Sequence, residues 1–298
     1  MLIGIIPNIE KKNTFRIVNY FLHLLEENNI DYIFSEHLLL SKSKLRYKNK
    51  KAEFRSVKDL GKMADFIVSF GGDGTMLNTA YDLRGSKAPL IGLNLGKLGF
   101  LAEYEMKDVP QLVKELKENK FLIEERIALK GYNTAKKEEE LYAINDLVID
   151  KGRWPKMIEL TVKVDDDYVA TFVADGIIVA TPTGSTGYSL STGGPIVNPK
   201  ADVITISPIS PHTLTMRPLV LASDQKIEIE VHSAYENVQV NCDGQRVYYY
   251  ESPAIIEIYK SDIPVKLVHS NRISYFEILR NKLMWGLDVR KNNSTKKD

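Results

Sequence analysis

The chain has 298 residues, 44% of them hydrophobic and 27% charged, with a formal net charge of +1. That balance supplies no global field for nucleic acid or an anionic membrane, and no run of about 18 apolar residues is present to span a bilayer. The single cysteine, Cys242, excludes an internal disulfide and suits a reducing, cytoplasmic setting, and the length suits two domains with a substantial core.

Residues 2–6 read as a first strand; the apolar start at Met1 lacks the basic residues and the length of a signal peptide. Thr14 to Leu25 reads as a helix with Ile17, Val18, Phe21, Leu24 and Leu25 on one face, and Asp31 to Phe34 as a second strand. Lys42 to Arg55 carries seven basic residues among few apolar ones and is expected to be a solvated, mobile loop, with a nucleotide-holding flap as the alternative.

The apolar run Phe66 to Phe70 predicts a buried strand of a parallel sheet. It stops at Gly71-Gly72-Asp73-Gly74-Thr75, after which Met76 to Tyr81 reads as a helix. Strand, glycine turn and helix together present backbone N–H groups to an anion, and the helix dipole adds to the attraction. A carboxylate repels phosphate, so Asp73 in such a turn points to a bound metal ion or to a hydroxyl awaiting deprotonation, that is, to phosphoryl transfer. The plainer reading is a turn in which Asp73 and Thr75 cap the helix. Neither a Walker A loop nor Gly-x-Gly-x-x-Gly is present here.

Pro89 to Asn94 forms the next buried strand and leads into a second glycine-bearing strand end, Leu95 to Leu101, where open α/β sheets place ligands. Lys107 to Lys117 is a helix with Val109, Leu112, Val113 and Leu116 inward. From Phe121 to Leu267 the apolar pattern has period two, as in Leu160-Val162-Val164, Ile227-Ile229-Val231 and Val238-Val240. Turn signals at Asp165–Asp167, Asp243-Gly244 and Ser252-Pro253 separate these runs. The expected architecture is α/β: a doubly wound α/β domain over 1–120, an all-β domain over 121–270, and a segment 271–298 that returns to the first domain before a disordered tail.

The second chemistry-bearing stretch follows the apolar strand Ile177 to Ala180. Thr181, Thr183, Ser185, Thr186, Ser189, Ser191 and Thr192 supply donors and acceptors without charge, and Gly184, Gly187, Gly193 and Gly194 allow close backbone approach. Such a loop suits a ribose, an amide or phosphate oxygens; read alone it is equally a solvated Ser/Thr turn. The five histidines, His23, His37, His212, His232 and His269, show no metal-ligand spacing, and Cys242 has no base partner.

Gly71-Gly-Asp-Gly-Thr75 resembles the phosphate turn of NAD kinases, of diacylglycerol and sphingosine kinases and, in variant form, of phosphofructokinases. Thr181-Pro-Thr-Gly-Ser-Thr-Gly-Tyr-Ser189 with the later Gly193-Gly-Pro195 narrows the resemblance to NAD kinase. Leu95–Leu101, Asn145-Asp146, Asp175-Gly176, Pro211-His212, Met216–Val220, Asp243-Gly-Gln245 and Trp285–Arg290 fit as well. The resemblance implies a site between an α/β and a β domain, and transfer of the terminal phosphoryl of ATP, or of polyphosphate, to the 2′-hydroxyl of the adenosine ribose of NAD.

It further implies Asp73 as general base, with the N–H groups of Gly72, Gly74 and Thr75 on phosphate oxygens and Mg²⁺ bridging the donor phosphates. Asn145 and Asp146 would contact the adenosine, and Asp175 the nicotinamide half. Thr183, Thr186, Tyr188 and Ser191 would line the dinucleotide site, and Phe100 would be an apolar wall. Assembly into homo-dimers or tetramers is implied too, with no nucleic-acid or membrane partner. Two positions depart from the family pattern: Asp146 replaces a usual Glu, and Gly187 a usual Ala. A lipid kinase and a non-catalytic dinucleotide-binding regulator are the alternatives.

Overall fold

The computed structural model describes residues 1–49, 52–96, 98–269 and 273–286. Lys50 and Lys51 of the basic run, Lys97 of the second glycine turn, the end of the Trp285–Arg290 motif and the tail lie outside the described residues. The chain forms two compact units, one of 1–124 with 266–298, the other of 125–265.

The first unit begins with β1 (Leu2–Pro7), α1 (Thr14–Glu27), β2 (Asp31–Ser35), β3 (Phe54–Arg55), α2 (Val57–Met63), β4 (Phe66–Gly71), α3 (Asp73–Asp82), β5 (Leu90–Asn94) and α4 (Val109–Glu118). Their parallel order is β3-β2-β1-β4-β5. β1, β4 and β5 are buried along nearly their whole length, which is why they read as unbroken apolar runs. The buried faces of α1 (Ile17, Val18, Phe21, Leu22, Leu25) and α4 (Val109, Leu112, Val113, Leu116) share one core with Ile3, Ile5, Val68, Phe70, Ile91 and Leu93. Local chemistry sets the helix starts. Ser56 accepts the Asp59 N–H at 3.1 Å to cap α2, and Pro110 stands in the first turn of α4, where its missing N–H costs nothing.

The basic run departs from expectation. Residues 36–44 form a 3-10 helix, Leu45 is buried, and Tyr47 and Phe54 lie 5.2 Å and 5.0 Å from the Phe34 ring. The Glu26 carboxylate also accepts the Asn49 N–H at 3.2 Å. The aromatic residues interleaved with the lysines anchor a segment whose charge alone suggests a solvated loop.

The second unit is a pair of antiparallel sheets. After β6 (Leu122–Arg126) come β7 (Leu129–Asn133), β8 (Lys136–Ala143), β9 (Asp146–Asp150), β10 (Ile158–Val164), β11 (Asp167–Ala174) and β12 (Gly176–Ala180). The one-turn helix α5 (Tyr188–Ser191) precedes β13 (Val203–Ile209), β14 (Leu219–Ala222), β15 (Ile227–His232), β16 (Asn237–Cys242), β17 (Arg246–Glu251) and β18 (Ala254–Lys260). One sheet runs β11-β10-β15-β18-β7-β8, the other β14-β13-β12-β9-β16-β17. Alternate residues of both, among them Leu160, Val162, Ile229, Ile256, Ile149, Val179 and Val240, interlock in a single core. Cys242 is buried in that core, and burial pushes its thiol up to about 12.

The chain then re-enters the first unit through β19 (Val265–His269) and α6 (Tyr275–Leu283). β19 lies parallel to β5, and β6 joins the same sheet beside it. At the end of β19, His269 places Nδ1 2.6 Å from the buried Glu103 and Nε2 3.3 Å from Glu124. His269→Leu removes the hydrogen-bond partner of the buried Glu103 oxygen, so urea titration should find the protein about 1–3 kcal/mol less stable. A loss within about 0.5 kcal/mol would mean that this contact carries no net stability.

Candidate active site

In the first unit the strand order reverses between β1 and β4, the crevice at which doubly wound sheets bind ligands. The turn after β4 lies there. Asn8, just past β1, donates from Nδ2 to Thr75 Oγ1 at 3.2 Å, tying the two strand ends together. Gly72 caps α3 and Asp73 opens it, so the carboxylate sits at the positive end of the helix dipole.

Asp73 is held by a loop that follows β5. Oδ2 accepts the Phe100 N–H at 2.8 Å, and Oδ1 accepts those of Leu101 and Ala102 at 3.0 and 3.1 Å. The loop can come this close because residue 99 is glycine: a Cβ there would stand 1.9 Å from Asp73 Oδ1. Lys282, from α6, brings Nζ to 3.4 Å from Oδ2 and 4.7 Å from the Phe100 ring centroid. Nothing local in the sequence couples Lys282 to Asp73. Its one cue is that it extends the stripe Tyr275, Ile278, Leu279 at helical spacing.

The Thr75 N–H donates to the Gly72 carbonyl at 2.9 Å, where the first turn of α3 closes on it. Beside the turn, a cleft of about 320 Å³ at the end of β5 is lined by Asn13, Arg16, Asn94, Gly96 and Lys107 among others.

In the second unit three neighbouring strands bring the other candidates together. Register places Ala180 opposite Asp146 and Cys242 opposite Leu147, so the loop after β12, the corner before β9 and the turn after β16 meet at one end of the sheet. Thr181 donates its N–H to the Asn145 carbonyl at 2.9 Å and its hydroxyl to the Ile144 carbonyl at 2.6 Å. Gly184 packs so closely on this corner that a Cβ would lie 2.0 Å from the Asn145 carbonyl oxygen. Thr183 is buried and accepts from Arg126 Nη1 at 3.4 Å, and Thr186 donates to the Thr183 carbonyl at 3.3 Å. Tyr188 and Ser191, one helical turn apart on α5, are exposed.

The corner is clamped by Asp243, which the sequence marks as a turn and as part of a matching motif but gives no site role. Its buried carboxylate accepts the N–H groups of Ile144 (2.9 Å), Asn145 (2.7 Å) and Asp146 (3.3 Å), and the Arg246 guanidinium at 2.8 Å. Burial pushes the Asp243 carboxyl up against these donors, which pull it down. Beside it Asn145 Oδ1 is buried with no hydrogen-bond partner, an acceptor waiting for a donor.

Asp175 does not join this cluster. It precedes β12 where the hydroxyl loop follows it, and five extended residues put roughly 17 Å between the two ends. Its carboxylate is paired with Lys151 at 2.6 Å.

Family models match both units: that of the ATP-NAD kinase N-terminal domain over residues 3–121 and that of the ATP-NAD kinase C-terminal domain over 144–270. The chain belongs to the ATP-NAD kinase family. Among its relatives, a NAD kinase of Chlorobium phaeobacteroides (strain BS1) is 35% identical over 96% of this chain and 98% of its own. A NAD kinase of Clostridium botulinum (strain ATCC 19397 / Type A) is 40% identical over 88% and 92%. The yeast NADH kinase complexed with NADH superposes with a TM-score of 0.88 at 23% identity, covering 97% of this chain and 88% of that one, and shares its fold. An NAD kinase from Archaeoglobus fulgidus in complex with ATP gives 0.73 at 25% identity over 95% and 99%.

The two departures from the ATP-NAD kinase pattern are neighbours in space. A Cβ on Gly187 would stand 3.7 Å from Asp146 Oδ2 and 3.8 Å from Asn145 Nδ2, so the missing methyl borders the shortened acid. Asp146 is buried, and desolvation with the Asp243 charge pushes its carboxyl up to about 7. The folded state therefore keeps a proton that the unfolded chain sheds near pH 4. Its contribution is full below pH 4 and is lost as pH rises through 7. Stability should fall over that window by on the order of 1–4 kcal/mol, and Asp146→Asn should flatten the slope in denaturant titrations at stepped pH. An unchanged slope would assign the titration to another group.

Proposed function

We propose that this chain transfers the terminal phosphoryl group of ATP, or of inorganic polyphosphate, to the 2′-hydroxyl of the adenosine ribose of NAD, giving NADP. The observation that carries the reading is the Asp73 carboxylate at a glycine-rich strand end and helix N-terminus, in a chain both of whose halves match ATP-NAD kinase domains. Asp73 accepts the hydroxyl proton as the new O–P bond forms. The transition state of phosphoryl transfer is loose, so aim and charge neutralisation matter more than full deprotonation.

The backbone at Gly72 and Gly74 holds phosphate oxygens, and Phe100 is the apolar wall beside Asp73. Asn145 and Asp146 contact the adenosine; the unpaired Asn145 Oδ1 supports this, because a ligand amine or hydroxyl would satisfy it. Thr183, Thr186, Tyr188 and Ser191 line the dinucleotide site. Among the described residues no group of three or more His, Cys, Asp or Glu side chains is placed to cage a metal. Mg²⁺ would come with the donor and neutralise phosphate charge.

The chain is read as a cytoplasmic homo-oligomer, dimer or tetramer. Support for assembly comes from the edge strands of one sheet, where Leu219 and Val220 on β14 and Val247 and Tyr249 on β17 are exposed. No helix among the described residues is long and apolar enough to cross a membrane.

Purified protein incubated with NAD, Mg²⁺ and either ATP or polyphosphate should form NADP, read by an NADP-specific dehydrogenase. A parallel reaction with diacylglycerol should give no phospholipid. Absence of NADP with both donors would overturn the assignment.

A further inference from the structure

Asp73 is saturated in the resting protein. A carboxylate offers about four lone-pair positions, and here three backbone N–H groups and one ammonium take them. For Oδ2 or Oδ1 to receive a hydroxyl proton, one donor has to leave. The three N–H groups are fixed: their loop is closed by the Gly99 N–H on the Ala102 carbonyl at 3.0 Å, and Gly99 presses against the carboxylate itself. Lys282 is different. Its contact is the longest of the four at 3.4 Å, it ends a flexible side chain, and it is 29% exposed.

We propose that Lys282 is a positioning residue that holds Asp73 aimed in the resting enzyme, then cedes its place on Oδ2 to the acceptor hydroxyl and moves to a phosphoryl oxygen of the donor. The inference rests on the reading of Asp73 as general base. In the transfer, the 2′-oxygen bonds to the γ-phosphorus and its proton passes to Asp73 Oδ2. The bond from that phosphorus to the β–γ bridging oxygen breaks, and ADP leaves with the electron pair. The ammonium moves from one anion to another, so it is never left unpaired.

The helix is built to aim this side chain. Ser274 caps α6 by accepting the Glu277 N–H at 3.2 Å, and Ile278 and Leu279 are its buried anchors. Lys282 lies four and three residues beyond them, on the same face. Its stem runs to the Phe100 ring, where the ammonium gains a cation–π contact on the way to the carboxylate.

Lys282→Met keeps the length of the stem over Phe100 and deletes the charge. At saturating NAD and MgATP it should lose about 10²–10³-fold in kcat, the scale for removing one charged donor, with KM for NAD within about threefold of the parent. Lys282→Arg should recover most of the loss. Retention of kcat within about threefold in Lys282→Met would overturn the proposal, as would equal losses in the Met and Arg variants together with a fall in melting temperature. If Lys282→Met does not fold, the parent enzyme crystallised with NAD and a non-transferable ATP analogue decides. Nζ should lie nearer a γ-phosphate oxygen than Asp73 Oδ2; an ammonium still on Oδ2 overturns the proposal. Asp73→Asn assayed beside these variants separates the two readings. If that variant turns over normally, the base assignment falls; if it is inactive while Lys282→Met is fully active, only the role of Lys282 falls.

Discussion

Asp73→Asn should lower kcat for NADP formation by about 10²–10⁴-fold while KM for NAD stays within about threefold. The first figure follows from losing the proton acceptor, the second from a role confined to the transition state. The structure adds a consequence of its own. Asn can keep its oxygen on the Leu101 and Ala102 N–H groups, but its amide then points two hydrogens at the Phe100 N–H and at Lys282. Donor facing donor in a half-buried site should cost about 1–3 kcal/mol of stability, readable as a lower midpoint in urea. The two effects are separable, because kcat is measured at temperatures where both proteins are folded. Near-normal kcat in a folded Asp73→Asn protein would remove Asp73 from the chemistry and leave it as the clasp of the 98–102 loop.

That clasp marks where sequence reasoning stops. The turn itself was legible because a parallel strand buried on both faces must read as an apolar run, and a run that ends in glycines has few structural outcomes. The hydroxyl loop was legible for a similar reason, and the period-two pattern of 158–164, 227–232 and 237–242 matched the sandwich core. Partnership was not. β6 and β19 join the first sheet although they flank the antiparallel unit, and neither strand's residues announce which sheet it will enter. Lys282 is 209 positions from Asp73, and Asp243 is 99 from Ile144; pairs at such separations are created by topology. Asp175, expected at the nicotinamide half, lies one strand's length from the corner of Asn145 and Asp146 expected at the adenosine. In the basic segment 42–55 the charge outweighed Tyr47 and Phe54 in the reading, whereas in the fold the two rings decide its place.

Asp243→Ala should have the largest effect on stability, about 3–5 kcal/mol, a substantial part of the 5–15 kcal/mol that usually holds a domain. Three backbone N–H groups and the Arg246 guanidinium would lose one acceptor together, in a place where the carboxylate is fully buried. Two sources of that loss can be told apart. Residue 243 has φ of 57°, a left-handed conformation that costs alanine roughly 1–2 kcal/mol and that asparagine tolerates. Asp243→Asn keeps the turn and an oxygen for the three N–H groups but turns its amide toward the Arg246 guanidinium, so its loss should be the smaller without being absent. The neighbouring acid supplies a second readout. Asp243 is one of the two causes that hold the Asp146 carboxyl high, so in Asp243→Asn the pH-dependent loss of stability should be smaller and be complete at lower pH than in the parent. Binding should weaken as well, because the Asn145 carbonyl anchors the start of the hydroxyl loop at Thr181 and Gly184, and a corner freed from its clamp lets that loop drift. KM for NAD should rise at least about tenfold in Asp243→Asn while kcat at saturation stays within about threefold, the split expected when ground-state and transition-state binding are lost alike. Urea titration and initial rates on the two variants check this; an Asp243→Ala protein within about 1 kcal/mol of the parent would mean that the corner holds without its clamp.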